Sequence, residues 1–196
     1  MSKIIPTVFF ILLFAVCTAQ DPGFRILKSL NQHDRPVWDK GMKGVSASIF
    51  PLTPLSFVST LSYGYLTKDK VMIRNGYKSA ISIGLATLMS AGIKRIIQRP
   101  RPYVTYPNDI VKRDRDSGPF SFPSGHTTSA FAMATSLTLS YQKWYVAVPS
   151  FLYASFVAYS RMRLGMHYPG DVLMGVILGV GSGILTWQLD RVLNGK

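Results

Sequence analysis

Two histidines, His126 and His167, stand where an imidazole could act on a phosphate. His126 closes Pro123-Ser124-Gly125-His126, directly ahead of an uncharged run, residues 127–142, that reads as a helix. A helix N-terminus leaves backbone N–H groups unpaired and carries the positive end of the macrodipole, so an anion can rest there. Gly125 lets the backbone approach closely, Ser124 adds a hydroxyl, and His126 can exchange a proton near neutral pH. Alone, Pro-Ser-Gly is an ordinary turn with a helix cap, so the decision falls to the chemistry on either side.

His167 lies four residues before Asp171, a spacing at which the carboxylate can accept one imidazole N–H and leave the other nitrogen free as a nucleophile. Asp171 equally suits the cap of a following helix. Lys94, followed after six residues by Arg101-Pro102, places an ammonium at a helix end and a guanidinium at a loop start. The two could converge on one phosphate, Arg as a planar fork and Lys as a point charge. Taken singly, Lys94 and Arg101 read as interface residues whose stems lie in lipid. His33 reads as an ordinary polar surface residue.

The elements that must position these groups are apolar. Of 196 residues, 47% are hydrophobic and only 16% charged, against about 25% charged in a soluble domain. Uncharged stretches cover residues 44–67, 79–93, 127–142, 144–160 and 172–189, the second ending in Lys94 and Arg95. Each approaches the roughly 20 residues of a membrane-crossing helix. The expected fold is therefore all-α, a polytopic transmembrane bundle of five to six spans, over a soluble bundle of buried helices. Gly175, Gly179 and Gly183 recur every fourth residue, a pattern of close helix contact that offers a face for a homodimer.

Residues 1–20 carry Lys3, an apolar core and small residues at the exit, as a secretory signal peptide does, with cleavage after Ala19 or Gln20; a retained first membrane helix is the alternative. Residues 21–43 are mixed and charged, which predicts short amphipathic helices on the membrane surface. Residues 44–192 form the embedded core. The single cysteine, Cys17, can neither pair within the chain nor join a metal cluster.

The net charge of +13 is spread over short loops rather than along one helix face, which argues against nucleic acid. The loop at 68–78 carries Lys68, Lys70, Arg74 and Lys78 against Asp69, which sets it on the cytoplasmic side. The segments at 98–122 and 161–170 then face outward, and the first holds Arg99, Arg101, Lys112, Arg113 and Arg115. Cations kept on the outer side need a local reason, and phosphate binding is one.

Together these segments resemble the type 2 phosphatidic acid phosphatase family, with its class A acid phosphatase and vanadium haloperoxidase relatives. The resemblance rests on Lys94 with Arg101-Pro102, on Pro123-Ser124-Gly125-His126, and on Ser160-Arg161 with His167 and Asp171, and it spans about residues 44–190. It implies that His167 attacks phosphorus, oriented by Asp171, and that His126 serves the leaving oxygen. Lys94, Arg101, Ser124, the Gly125 N–H and Arg161 would hold the phosphoryl oxygens. It implies no metal and no other cofactor, and a lipid phosphate substrate: undecaprenyl diphosphate, phosphatidic acid, phosphatidylglycerol phosphate or a lipid A phosphate. The expected location is a bacterial inner membrane with the site facing the periplasm. Arg163 has no role in the resemblance and is expected to meet a headgroup. A secreted soluble acid phosphatase or haloperoxidase, or a lipid-binding membrane protein without catalysis, are the competing readings; the apolar runs weigh against the first and the two imidazoles against the second.

Overall fold

A computed structural model describes residues 20–115 and 118–194, and Cys17 and all but the last residue of the expected signal segment lie outside them. The described residues are helical: α1 (Gln20–Asn31), α2 (Pro36–Thr67), α3 (Lys70–Ile97), the single turn α4 (Pro102–Thr105), α5 (Gly125–Tyr141), α6 (Trp144–Arg163) and α7 (Pro169–Leu193). Local chemistry sets several of the boundaries. Pro36 stands in the first turn of α2, where its missing N–H costs nothing. The Asp69 carboxylate accepts from the N–H groups of Val71 and Met72 and so starts α3. Lys68, Gln98 and Gln142 end α2, α3 and α5 in the left-handed conformation.

α5 is the central helix. It packs against α3, α6 and α7, and Ala130 through Ser136 are buried without interruption. Small residues make that density achievable. A Cβ on Gly179 would come 2.5 Å from the Thr128 carbonyl oxygen and 2.8 Å from the Ala132 nitrogen, both α5 backbone. Gly175 and Gly183 lie as tightly against the side chains of Thr127 and Thr135. The glycine face expected to receive a second copy is thus filled by α5 of the same chain. The every-fourth-residue spacing reports close approach, and the neighbour is internal.

This contact makes a test. Gly179→Ala gains about 1 kcal/mol of helix propensity but drives a methyl into backbone that cannot step aside, a cost of about 1–3 kcal/mol. Its thermal midpoint in detergent is expected to fall. Gly181→Ala, whose Cβ would meet nothing within 4 Å, should hold or raise the midpoint, and equal behaviour of the two variants would contradict the packing.

The segment at 21–43 differs from expectation in two ways. α1 is amphipathic, but Leu27 is fully buried against Ile110 and Tyr168, so the helix docks on protein. The second expected surface helix is the opening of α2, which runs through residue 44 unbroken. Asp39 and Met42 turn inward and Lys40 and Lys43 outward, so a charged first stretch continues the same helix.

Three helices, α2, α3 and α7, are long and apolar enough to cross a membrane. α5 has 17 residues, ten of them buried, and the 20 residues of α6 end in Arg161 and Arg163. The bundle therefore has five long helices among the described residues, and composition alone supports three of the five to six expected spans. Leu66, Leu88 and Ile96 stand outward and more than 70% exposed, as residues facing acyl chains would.

Candidate active site

Every residue singled out for chemistry lies at one end of the bundle. Lys94 comes from the last turn of α3, Arg101 precedes α4, Ser124 caps α5, Gly125 and His126 open it, Arg161 ends α6, and His167 and Asp171 flank the start of α7. Lys94, Gly125, His126 and His167 line one cavity of about 450 Å³. The Ser124 N–H donates to the Asp171 carbonyl at 3.0 Å, which ties the α5 entry to the α7 entry. The Ser124 hydroxyl is 2.9 Å from that of Thr127.

His167 is 1% exposed. Its Nε2 lies 3.5 Å from Arg101 Nη1, and its Nδ1 lies 3.6 Å from Asp171 Oδ2. The second distance is that of an ion pair and longer than a hydrogen bond. It nonetheless sets Nδ1 toward the carboxylate and Nε2 toward the cations. Burial first, then the charges of Arg161, Arg101, Lys94 and His126, hold the imidazole well below the ordinary histidine value. His167 is therefore a neutral base with a free lone pair at physiological pH.

Arg161 is also 1% exposed. Nη1 donates to Ser46 and, at 2.7 Å, to Asp114, while Nε and Nη2 are buried with no hydrogen-bond partner in the structure. Buried guanidinium donors without acceptors are costly, and an oxyanion would satisfy them. Arg101 is fully buried and donates to the carbonyls of Gly118 and Met166 at 2.8 and 3.0 Å. Lys94 Nζ donates to the Phe120 carbonyl at 3.1 Å. At Gly125 an added Cβ would find only Ser90 Oγ, at 3.8 Å, so its surface is open to a ligand. The His126 and Phe50 rings stand nearly perpendicular with centroids 5.1 Å apart.

Residue types and spacing did not reveal three further participants. Arg99 donates to Asp171 Oδ1 at 2.9 Å and stacks 4.0 Å over the Tyr168 ring, so the carboxylate that faces His167 is itself held by a cation. Asp171 Oδ2 meanwhile accepts from the Tyr168 N–H at 2.9 Å, the capping role read alongside the catalytic one. Asp114 orients Arg161. Asn31 clasps the loop, exchanging hydrogen bonds with Val111 N and O and donating to the Arg163 carbonyl. Arg163 does not meet a headgroup. It is buried and donates to Asp39 and to the carbonyls of Leu30 and His33, because the turn out of α6 points it into α1 and α2.

The model of the PAP2 superfamily matches residues 76–194. A lipid A 4'-phosphatase of Bacteroides thetaiotaomicron is 34% identical over 86 residues, 44% of this chain and 38% of that protein. A decaprenylphosphoryl-5-phosphoribose phosphatase of Mycobacterium tuberculosis is 40% identical over 110 residues, 53% of each. The matched segments thus span only 38% and 53% of the length of these two curated relatives. The crystal structure of a transmembrane PAP2-type phosphatidylglycerolphosphate phosphatase from Bacillus subtilis superposes with a TM-score of 0.73 at 27% identity, over 94% of this chain and 93% of that one. A motif set gathered at one helix end, a family model over more than half the residues and a full-length match in three dimensions agree: the chain is a multi-pass membrane protein and belongs to the PAP2 superfamily.

Proposed function

We propose that this protein is a lipid phosphate phosphatase, hydrolysing a phosphomonoester or diphosphate lipid through a phosphohistidine on His167, at the periplasmic face of a bacterial inner membrane. The observation that carries the reading is the two-sided cavity. One end presents His126, His167, Lys94 and Gly125, and the rest of the wall includes Ile49, Phe50, Pro54 and Ala91. Phe50, Pro54 and Ala91 are exposed on the outside of the bundle, so the apolar wall continues onto the lipid-facing surface. A polar head with acyl or prenyl chains fits such a cavity; a water-soluble ester would leave its apolar side unused. The outward orientation is supported by the cations at 68–78, which lie in the turn between α2 and α3 and the first turns of α3, opposite the site.

In this reading the phosphate enters among Lys94, Arg101, Arg161 and the first N–H groups of α5. His167 Nε2 forms a bond to phosphorus as the bond to the leaving oxygen breaks, and that oxygen takes a proton from His126. His126, now neutral, removes a proton from water, whose oxygen attacks the phosphohistidine and returns His167 free. Charge on the equatorial oxygens is held throughout by the cations and N–H groups. Because the site supplies that charge itself, hydrolysis should not depend on a divalent cation.

The test is phosphate release by purified protein in detergent from a panel comprising undecaprenyl diphosphate, phosphatidic acid, phosphatidylglycerol phosphate and lipid A. The expected result is turnover of at least one lipid in EDTA and inhibition by vanadate, whose oxyanion imitates the transition state. Loss of all activity in EDTA with recovery in Mg²⁺ would refute the mechanism, and release from soluble esters alone would refute the lipid substrate.

A further inference from the structure

α3 and α7 carry Lys94 and Asp171 of the candidate active site at one end and a second cationic pocket at the other. Lys70, Arg74, Lys78 and Arg191 line a cavity of about 340 Å³, with Trp187 and the single carboxylate of Asp190 beside them. Asp190 Oδ1 accepts from Arg74 Nε and Nη2 at 3.0 and 2.8 Å, and Oδ2 lies 3.4 Å from Lys78. One anion thus faces four cations. The Lys78 ammonium also sits 4.6 Å from the Trp187 ring centroid.

The spacing from the active site is that of a bilayer. From Lys70 to Lys94 α3 rises about 36 Å, and from Asp171 to Asp190 α7 rises about 28 Å. The hydrocarbon core is about 30 Å thick. The pocket therefore opens at the opposite membrane surface, where a tryptophan commonly sits at headgroup level. Basic pockets between membrane helices at that level take anionic head groups.

We propose that this pocket is a second phosphate-binding site, taking the headgroup phosphodiester of an anionic phospholipid from the leaflet opposite the candidate active site. His126 and His167 lie at the other end of the bundle, so the phosphodiester is bound and not cleaved. Its charge offsets the mutual repulsion of the four cations and draws the start of α3 to the end of α7. The proposal stands whether or not the other end hydrolyses anything.

The chain has three tryptophans, so Trp38→Phe with Trp144→Phe leaves Trp187 as the sole indole reporter. Its emission is followed in neutral-detergent micelles as phosphatidylglycerol, phosphatidylcholine or inorganic phosphate is added. Saturable change with phosphatidylglycerol alone is expected. In Lys70→Gln/Arg191→Gln, which alters two exposed side chains and leaves the Arg74–Asp190 pair in place, half-saturation should rise about thirty-fold. An equal response to phosphatidylcholine overturns the proposal, as does an equal response to inorganic phosphate, which would make the pocket a free-anion site. Unchanged titration in the double variant overturns it as well.

Discussion

His167→Ala is expected to eliminate turnover, by roughly 10⁵-fold or more, together with any trapped phosphoenzyme. No other group is placed to substitute. Among the described residues it is the imidazole that lines the cavity with a carboxylate facing Nδ1, and burial and the neighbouring cations hold it neutral. The same surroundings set the pH response. A histidine held well below about 6.5 stays deprotonated, and so nucleophilic, as pH falls through that value. The acid limb of kcat/KM due to His167 should accordingly lie well under the ordinary histidine range. A limb near 6.5 that persists after His126 is replaced would contradict the electrostatics described for the site.

His126→Ala should behave differently, with a loss of about 100-fold to 10,000-fold in turnover of a lipid ester. His126 packs against Phe50 at the cavity wall, and Asp171 is committed to Arg99, the Tyr168 N–H and the His167 side. In the proposed mechanism its task is proton transfer, which a good leaving group does not need. Acid-quenched labelling with an activated radioactive phosphate ester should therefore still mark His126→Ala while leaving His167→Ala blank. Label on His167→Ala and none on His126→Ala would exchange the two roles.

The gathering of these groups was legible because each is a distinctive residue type beside a helix end: a Pro-Ser-Gly turn before His126, a lysine and an arginine framing the end of α3, a carboxylate four residues after His167. What binds them to one another was not. Arg99 to Asp171, Asp114 to Arg161 and Asn31 to the Arg163 carbonyl pair residues 72, 47 and 132 positions apart, and no local pattern announces such partners. Arg163 is the instructive failure. An arginine two residues from Arg161 reads as a headgroup contact, yet its direction depends on where α6 stops. The glycine face shows the same limit, since spacing reports that something comes close without saying what. The extent of α2 was readable in principle. Asp39, Met42, Ser46 and Ile49 follow helical spacing and are all buried, but a search for uncharged runs discards the first of them with Lys40 and Lys43.

The hydrogen bond from Ser124 to the Asp171 carbonyl has a meaning for biogenesis. Translation delivers α1 through α5 first, a cleft already furnished with Lys94, Arg101 and His126 but without Arg161, His167 or Asp171. These three arrive within eleven residues of one another, near the end of the chain, and α7 must insert beside α5 before the cleft is closed. The cleft therefore closes in a single step, and a polypeptide stalled on the ribosome before residue 161 carries Lys94, Arg101 and His126 without Arg161 or the proposed nucleophile.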